Sequence, residues 1–120
     1  MAQPTRFQKL VAGAKRNITE ISPAEAAEKL ERGDAILIDV REERDWREKH
    51  ASGAIHLSRG EIELEIEEKI PDTDQPIICY CGGGSRSALV TESLQKMGYK
   101  NVRSMAGGFR AWRKENLPTM

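Results

Sequence analysis

The stretch Ile77-Ile78-Cys79-Tyr80-Cys81-Gly82-Gly83-Gly84-Ser85-Arg86-Ser87-Ala88-Leu89-Val90 decides the fold. Its first five residues are largely apolar, as in a strand covered on both faces. Three glycines break that strand at once. Val90, Leu94 and Met97 then recur on one face of a helix over 86–97, with Gly98 as its stop. Strand, glycine loop and helix form one unit, and strands alternate with helices in the flanking sequence, which holds no internal repeat. Upstream, Ala35-Ile36-Leu37-Ile38 is a second buried run, closed by Asp39. Before it, Ser22-Pro23-Ala24-Glu25 starts a helix in which Ser22 caps, Pro23 takes the first position and Glu25 completes a capping box. Ile18–Ile21 reads as a first strand, 43–49 as a helix and Ala54–Leu57 as a brief strand. Downstream, Val102–Met105 reads as the last strand, Gly107-Gly108 as a turn and 109–115 as a closing helix. The segment 61–70 carries two periods. Ile62, Leu64 and Ile66 alternate, whereas Ile62, Ile66 and Ile70 repeat every four; the helix is the preferred reading. The alternation of strands and helices predicts an α/β domain with a mainly parallel sheet of about five strands and helices on both faces.

The bulk properties agree with one such domain. The chain has 120 residues, 38% apolar and 32% charged, and its 19 basic and 19 acidic side chains balance. A chain of this size can bury about two thirds of its unfolded surface, enough for a core. The longest apolar run, near Ala35–Val40, is far too short to span a membrane. The zero net charge gives no general case for nucleic-acid binding. Two cysteines do not make a disulfide scaffold, and the first residues lack a signal-peptide pattern, so the expectation is a cytoplasmic protein. Charge is uneven along the chain. Residues 1–17 hold Arg6, Lys9, Lys15 and Arg16 and no acid, while Phe7, Leu10, Val11 and Ala14 recur at helical spacing. They read as a basic N-terminal extension with a short amphipathic helix, ahead of a domain over 18–118. The extension packs on that domain in the plain reading; the sharper one is a helix for a partner or a membrane surface.

The chemistry sits in Cys81-Gly82-Gly83-Gly84-Ser85-Arg86-Ser87. In an open α/β sheet, sites form outside the carboxyl ends of the strands. Glycines let successive N–H groups turn inward, and the following helix adds unpaired N–H groups and a partial positive charge. Such a cradle favours an anion and lowers the pKa of a thiol at its base. Arg86 adds fixed charge or anchors the loop to an acid. The plain alternative is a tight turn around a buried structural cysteine. No serine triad, nucleophile elbow or Walker loop competes.

At this point the chain resembles the rhodanese-like sulfurtransferases. The resemblance spans about 18–118 and rests on four ordered pieces: Leu37-Ile38-Asp39-Val40-Arg41-Glu42, His50-Ala51-Ser52-Gly53-Ala54, the loop Cys81–Arg86 with Ser87, and Met105-Ala106-Gly107-Gly108-Phe109-Arg110-Ala111-Trp112. It implies a single rhodanese-like domain in which Cys81 takes a sulfane sulfur as a persulfide, stabilised by the amides of Gly82, Gly83, Gly84, Ser85 and Arg86. Thiosulfate is the implied donor, and cyanide or a thiol, such as that of a thioredoxin-like protein, the acceptor. Neither metal nor organic cofactor is implied. The alternative is a sulfur-relay or sensing module that serves one protein partner without turnover. Cysteine phosphatases and some arsenate reductases hold Cys and Arg with five residues between them; four separate Cys81 from Arg86, and six separate Cys79 from it.

The remaining candidates surround that loop. Asp39, Arg41 and Ser87 are expected behind it, with Asp39 or Glu42 holding Arg41. Cys79 shares a face with Cys81 and is a core residue or a resolving thiol. His50 and His56 read as structural, since their spacing to the cysteines matches no zinc site. Trp46, Phe109 and Trp112 read as packing. Arg103 and Arg110 either draw an anion toward the loop or form a solvated face. Lys49, Ala51 and Ser58 depart from the family's usual Gly, Ile and Pro, which puts the path after the second strand in question.

Overall fold

The computed structural model describes residues 2–120; Met1, the first residue of the basic extension, lies outside them. Eleven elements follow in order: α1 (Arg6–Lys15), β1 (Glu20–Ile21), α2 (Pro23–Glu31), β2 (Ile36–Asp39), α3 (Glu43–Glu48), β3 (Ile55–His56), α4 (Ile62–Lys69), β4 (Ile77–Tyr80), α5 (Ser85–Lys96), β5 (Val102–Met105) and α6 (Gly108–Lys114). The five strands form one sheet in the order β1-β5-β4-β2-β3, and every pair is parallel. β4 is central, and all four of its residues are buried. This is the covered strand that the run 77–81 predicts.

Alternation along the strands sorts side chains into two cores. Ile38, Cys79 and Cys81 join Ile62 and Ile66 of α4 and Val90 and Leu94 of α5. Leu37, Ile78 and Tyr80 join Ala26 of α2 and Phe109 and Trp112 of α6 on the other face. The ambiguous segment is a helix. Ile62, Ile66 and Ile70 are buried while Leu64 is 85% exposed, so the four-residue period prevails over the alternation.

The caps differ in part from the sequence reading. Ser22 does accept from the backbone N–H of Glu25, at 3.1 Å. The Glu25 carboxylate, however, takes the Ser22 hydroxyl at 3.4 Å, so the expected capping box is one-sided. A reciprocal box forms instead at α1, where Thr5 and Gln8 bond each other's backbone N–H. That helix packs on α5 through Val11 and Ala14 and leaves Phe7 and Leu10 exposed. Among the described residues no helix is long and apolar enough to cross a membrane.

Candidate functional site

β4 delivers Cys81 to the carboxyl edge of the sheet. Gly82 and Gly83 then turn the chain, and Gly84, at φ +100°, caps α5 without a side chain. A Cβ on Gly84 would lie 3.1 Å from the Gly107 nitrogen. The second glycine pair completes the loop from outside. A Cβ on Gly108, at φ +58°, would stand 2.5 Å from the Cys81 carbonyl oxygen and 2.7 Å from the Gly82 carbonyl. This close approach lets the first turn of α6 donate to the loop, from Phe109 N–H to Cys81 O at 2.7 Å and from Arg110 N–H to Gly82 O at 3.1 Å. Two backbone segments distant in sequence thus fix the Cys81 loop in one shape.

Inside the loop the donors converge on sulfur. Cys81 Sγ accepts from Gly84 N–H at 3.1 Å and from Ser87 N–H at 3.3 Å, and lies 3.4 Å from Ser87 Oγ. Burial alone would push the Cys81 thiol up. Hydrogen bonds from the Ser87 hydroxyl and from the amides of Ser87, Gly84 and Gly83 outweigh it, and the net pKa falls below the ordinary thiol value. Arg86 has no ion-pair partner among the described residues, and its guanidinium lies along the loop, with Nη2 3.9 Å from a Cβ built on Gly82. Arg110 is likewise without an acidic partner and covers Gly83, with Nη1 3.3 Å from a built Cβ. Gly83 is exposed while Cys81 is 1% exposed, so the sulfur is buried beneath a loop flanked by two arginines.

Asp39 and Arg41 form a separate cluster on the opposite face. Arg41 donates from Nε to both Asp39 oxygens at 3.1 Å and from Nη2 to Asp39 Oδ2 at 2.8 Å. The Tyr80 hydroxyl donates to the same Oδ2 at 2.6 Å, and Ala51 N–H donates to the Tyr80 oxygen at 3.0 Å. Arg41 Nη2 also reaches the Lys49 carbonyl, and the guanidinium lies 4.3 Å from the centroid of Phe109. Glu42 takes no part; it is exposed at the start of α3. The departures at Lys49 and Ala51 are accommodated, since both positions use their backbone here.

The other candidates separate cleanly. Cys79 is fully buried, and its thiol is pushed up to about 12, mainly by burial. That state opposes a resolving role, which needs a thiolate. His50 stacks on Trp46 with centroids 3.5 Å apart and bonds the Trp46 carbonyl, while His56 bonds the Arg41 carbonyl. Trp112 is buried and donates to the Pro118 carbonyl. Arg103 lies near the amino end of β5, beside Asn101, Pro76 and Asp34, at the opposite end of the sheet from the loop. Of the two flanking arginines only Arg110 reaches it. Sequence reasoning missed Ser104, whose hydroxyl lies 2.8 Å from that of Ser87, and the seating of Gly108 on Cys81. Both depend on strand register and turn contacts that no local pattern encodes.

Comparison with known proteins bears on this arrangement. A family model described as a rhodanese-like domain matches residues 22–115. The thiosulfate sulfurtransferase GlpE of Haemophilus influenzae is 42% identical over 99 residues, covering 82% of this chain and 91% of that protein. The polysulfide-sulfur transferase homodimer of Wolinella succinogenes is similar in structure, with a TM-score of 0.80 and 28% identity over 95% of this chain and 86% of that one. A Rhodopseudomonas palustris protein described as a possible tyrosine phosphatase superposes with a TM-score of 0.87 and 29% identity over 100% of this chain and 99% of that one.

Proposed function

The chain belongs to the rhodanese-like family, and on that premise we propose that it is a sulfurtransferase that carries sulfane sulfur on Cys81. One observation carries the reading: amide and hydroxyl donors from Gly84 and Ser87 converge on a buried sulfur at 3.1–3.4 Å. The Cys81 thiolate attacks the outer sulfur of thiosulfate. A sulfur–sulfur bond forms at Sγ, the bond inside thiosulfate breaks, and sulfite leaves with the electron pair. A second nucleophile, cyanide or a thiolate, then attacks the outer sulfur of the persulfide, and Sγ departs as the thiolate. The covalent intermediate divides the transfer into two displacements. The amides of Gly83, Gly84 and Ser87 stabilise the persulfide charge as fixed dipoles. The loop supplies this chemistry without a metal or organic cofactor. Thiosulfate is the donor named for the Haemophilus relative, and Arg86 and Arg110, without ion-pair partners among the described residues, suit a small dianion. The acceptor in the cell is a thiol, including that of a thioredoxin-like protein. Two free buried thiols suit a reducing compartment, and the accompanying proposal is a cytoplasmic site of action.

The phosphatase description of the Rhodopseudomonas protein favours a second reading of the same cradle. The loop length opposes it, because four residues between Cys81 and Arg86 make a ring one residue short of the phosphatase spacing. Intact mass after incubation with thiosulfate tests the choice. The reduced protein is expected to gain the mass of one sulfur atom, Cys81→Ser to gain none and Cys79→Ser to gain it in full. No gain in the folded wild-type protein would remove the thiosulfate assignment and turn attention to aryl phosphates.

A further inference from the structure

Ser104 lies on β5, fully buried, in register with Cys79 of β4 and Glu20 of β1. Its hydroxyl has one hydrogen-bond partner among the described residues, Ser87 Oγ at 2.8 Å. Ser87 Oγ in turn lies 3.4 Å from Cys81 Sγ. Two hydroxyls and a sulfur therefore form a closed file under the loop, and the direction of its hydrogen bonds depends on the charge of the sulfur. With a neutral thiol, S–H points to Ser87 and the Ser87 hydroxyl to Ser104. The Ser104 O–H is then a buried donor with nothing to receive it. With a thiolate the file reverses: Ser104 donates to Ser87, Ser87 donates to Sγ, and every hydroxyl proton is used. An unsatisfied buried donor is costly, so an S–H aimed at Ser87 breaks the file, and the thiolate, as the stronger acceptor, completes it best.

We propose that Ser104 is a positioning residue for Cys81, which holds the Ser87 hydroxyl on the sulfur and so favours the thiolate. The role rests on the sulfurtransferase reading only for its purpose; the hydrogen-bond count holds for any thiolate at this position. The neighbouring groups do not replace it. Cys79 faces Ser104 across β4 and β5, Arg86 approaches from α5 and Arg110 from α6, Glu20 stands beside Ser104 and is held by Lys15 at 3.6 Å, and Asp39, Arg41 and Tyr80 lie on the other face. None of these donates a hydrogen bond to Ser87 Oγ. Thr91 donates to the Ser87 carbonyl at 2.8 Å and fixes the backbone, leaving the side-chain direction to Ser104.

The test is the pH dependence of Cys81 alkylation by iodoacetamide in a Cys79→Ser background, with circular dichroism as the check on fold. Ser104→Ala removes the hydroxyl at nearly constant volume. Its alkylation midpoint is expected to rise by about half to one pH unit, a slowing of about three- to tenfold below the midpoint. Ser104→Thr restores a hydroxyl and is expected to return most of that loss. A midpoint unchanged in Ser104→Ala would overturn the proposal. So would a midpoint that stays raised in Ser104→Thr, since packing would then be the cause. Alkylation needs no sulfur donor, so a protein that fails to load sulfur from thiosulfate still reports on Ser104.

Discussion

Two buried polar clusters stand at the carboxyl ends of neighbouring strands, one built on Asp39 of β2 and one on Cys81 after β4. They differ in whether their bonding capacity is used up. The carboxylate of Asp39 meets Nε and Nη2 of Arg41, the Arg41 amide and the Tyr80 hydroxyl, all at 2.6–3.1 Å. Arg41 Nη2 also donates to the Lys49 carbonyl, and the Tyr80 oxygen accepts from the Ala51 N–H. Charge meets charge and the cluster is closed. At Cys81 the donors converge on one sulfur, and Arg86 and Arg110 beside the loop have no ion-pair partner among the described residues. A buried charge with its counter-charge in place holds structure, whereas a buried charge held only by dipoles is available to react. The same strand makes the contrast again. Cys79, two residues earlier, has a thiol pushed up to about 12 by burial, while its neighbour's falls.

The closed cluster is the easier one to break. Arg41→Ala leaves the Asp39 carboxylate, 0% exposed, without its cation, and is expected to cost about 3–5 kcal/mol in denaturant unfolding. The double variant Asp39→Ala/Arg41→Ala is expected to lose less than the two singles added together, because no charge is stranded. A loss below about 1 kcal/mol for Arg41→Ala, within the range of an exposed pair, would mean that water reaches this pair and that the contrast is overstated. Tyr80 belongs to the same cluster, and burial followed by the Asp39 charge holds its hydroxyl protonated far above the ordinary range.

Gly108→Ala strikes the open cluster through its backbone. The new methyl would meet the Cys81 and Gly82 carbonyls, and the residue would keep φ +58° at a cost. Strain and overpacking together predict a loss of about 2–4 kcal/mol. Sulfur transfer is expected to fall further than stability does, since Phe109 and Arg110 can no longer hold the loop carbonyls. Equal activity per folded molecule would mean that α6 does not shape the cradle.

How much of this could be read from residues alone follows from what is local. The strand at 77–81, its glycine break and the helix after it are local patterns, and they appear where the sequence places them. The candidate nucleophile, Cys81, is legible for the same reason, because cysteine, glycines and helix start are contiguous. Other features arise only when strands align. Ser104 is one serine in a short strand until β5 pairs with β4. Gly108 is an ordinary turn glycine until α6 lands on the loop. Arg103 and Arg110 look equivalent in a basic stretch, yet a four-residue strand puts them at opposite ends of the sheet. The sequence offers Asp39 and Glu42 as partners for Arg41, and burial of the strand end selects Asp39.

The two thiols sharpen the comparison without altering any other side chain. Iodoacetamide at neutral pH is expected to modify Cys81 alone in the native protein, with Cys79 reacting only after unfolding; peptide mapping reads the sites. The linkage has opposite signs. The Cys79 thiol ionises in the unfolded chain near 9.0 but in the native state only near 12, so its contribution to stability declines as pH rises across that window. The native Cys81 thiol ionises below its unfolded value, so its contribution is present above the unfolded pKa and declines as pH falls through the native one. Modification of Cys79 in the folded protein at neutral pH would mean that β4 opens readily, and that burial does not separate the two.

The smallest expected effect tests what the open cluster leaves unpaired. Arg110 covers Gly83 at the exposed rim, where water screens its charge, so it guides an anion more than it holds one. Arg110→Ala is expected to raise KM for thiosulfate by about two- to fivefold with little change in kcat. Added salt should shrink the difference, because screening already weakens the native arginine. The second displacement separates guidance from structure. Attack on preformed persulfide by the thiolate of an otherwise uncharged thiol involves a monoanion and no dianion, and its rate should be nearly the same in both proteins. If that rate fell as well, Arg110 would be holding the loop in shape. That arginine would then be a second piece of scaffold around Cys81, closer in kind to the Arg41 cluster than its missing counter-charge suggests.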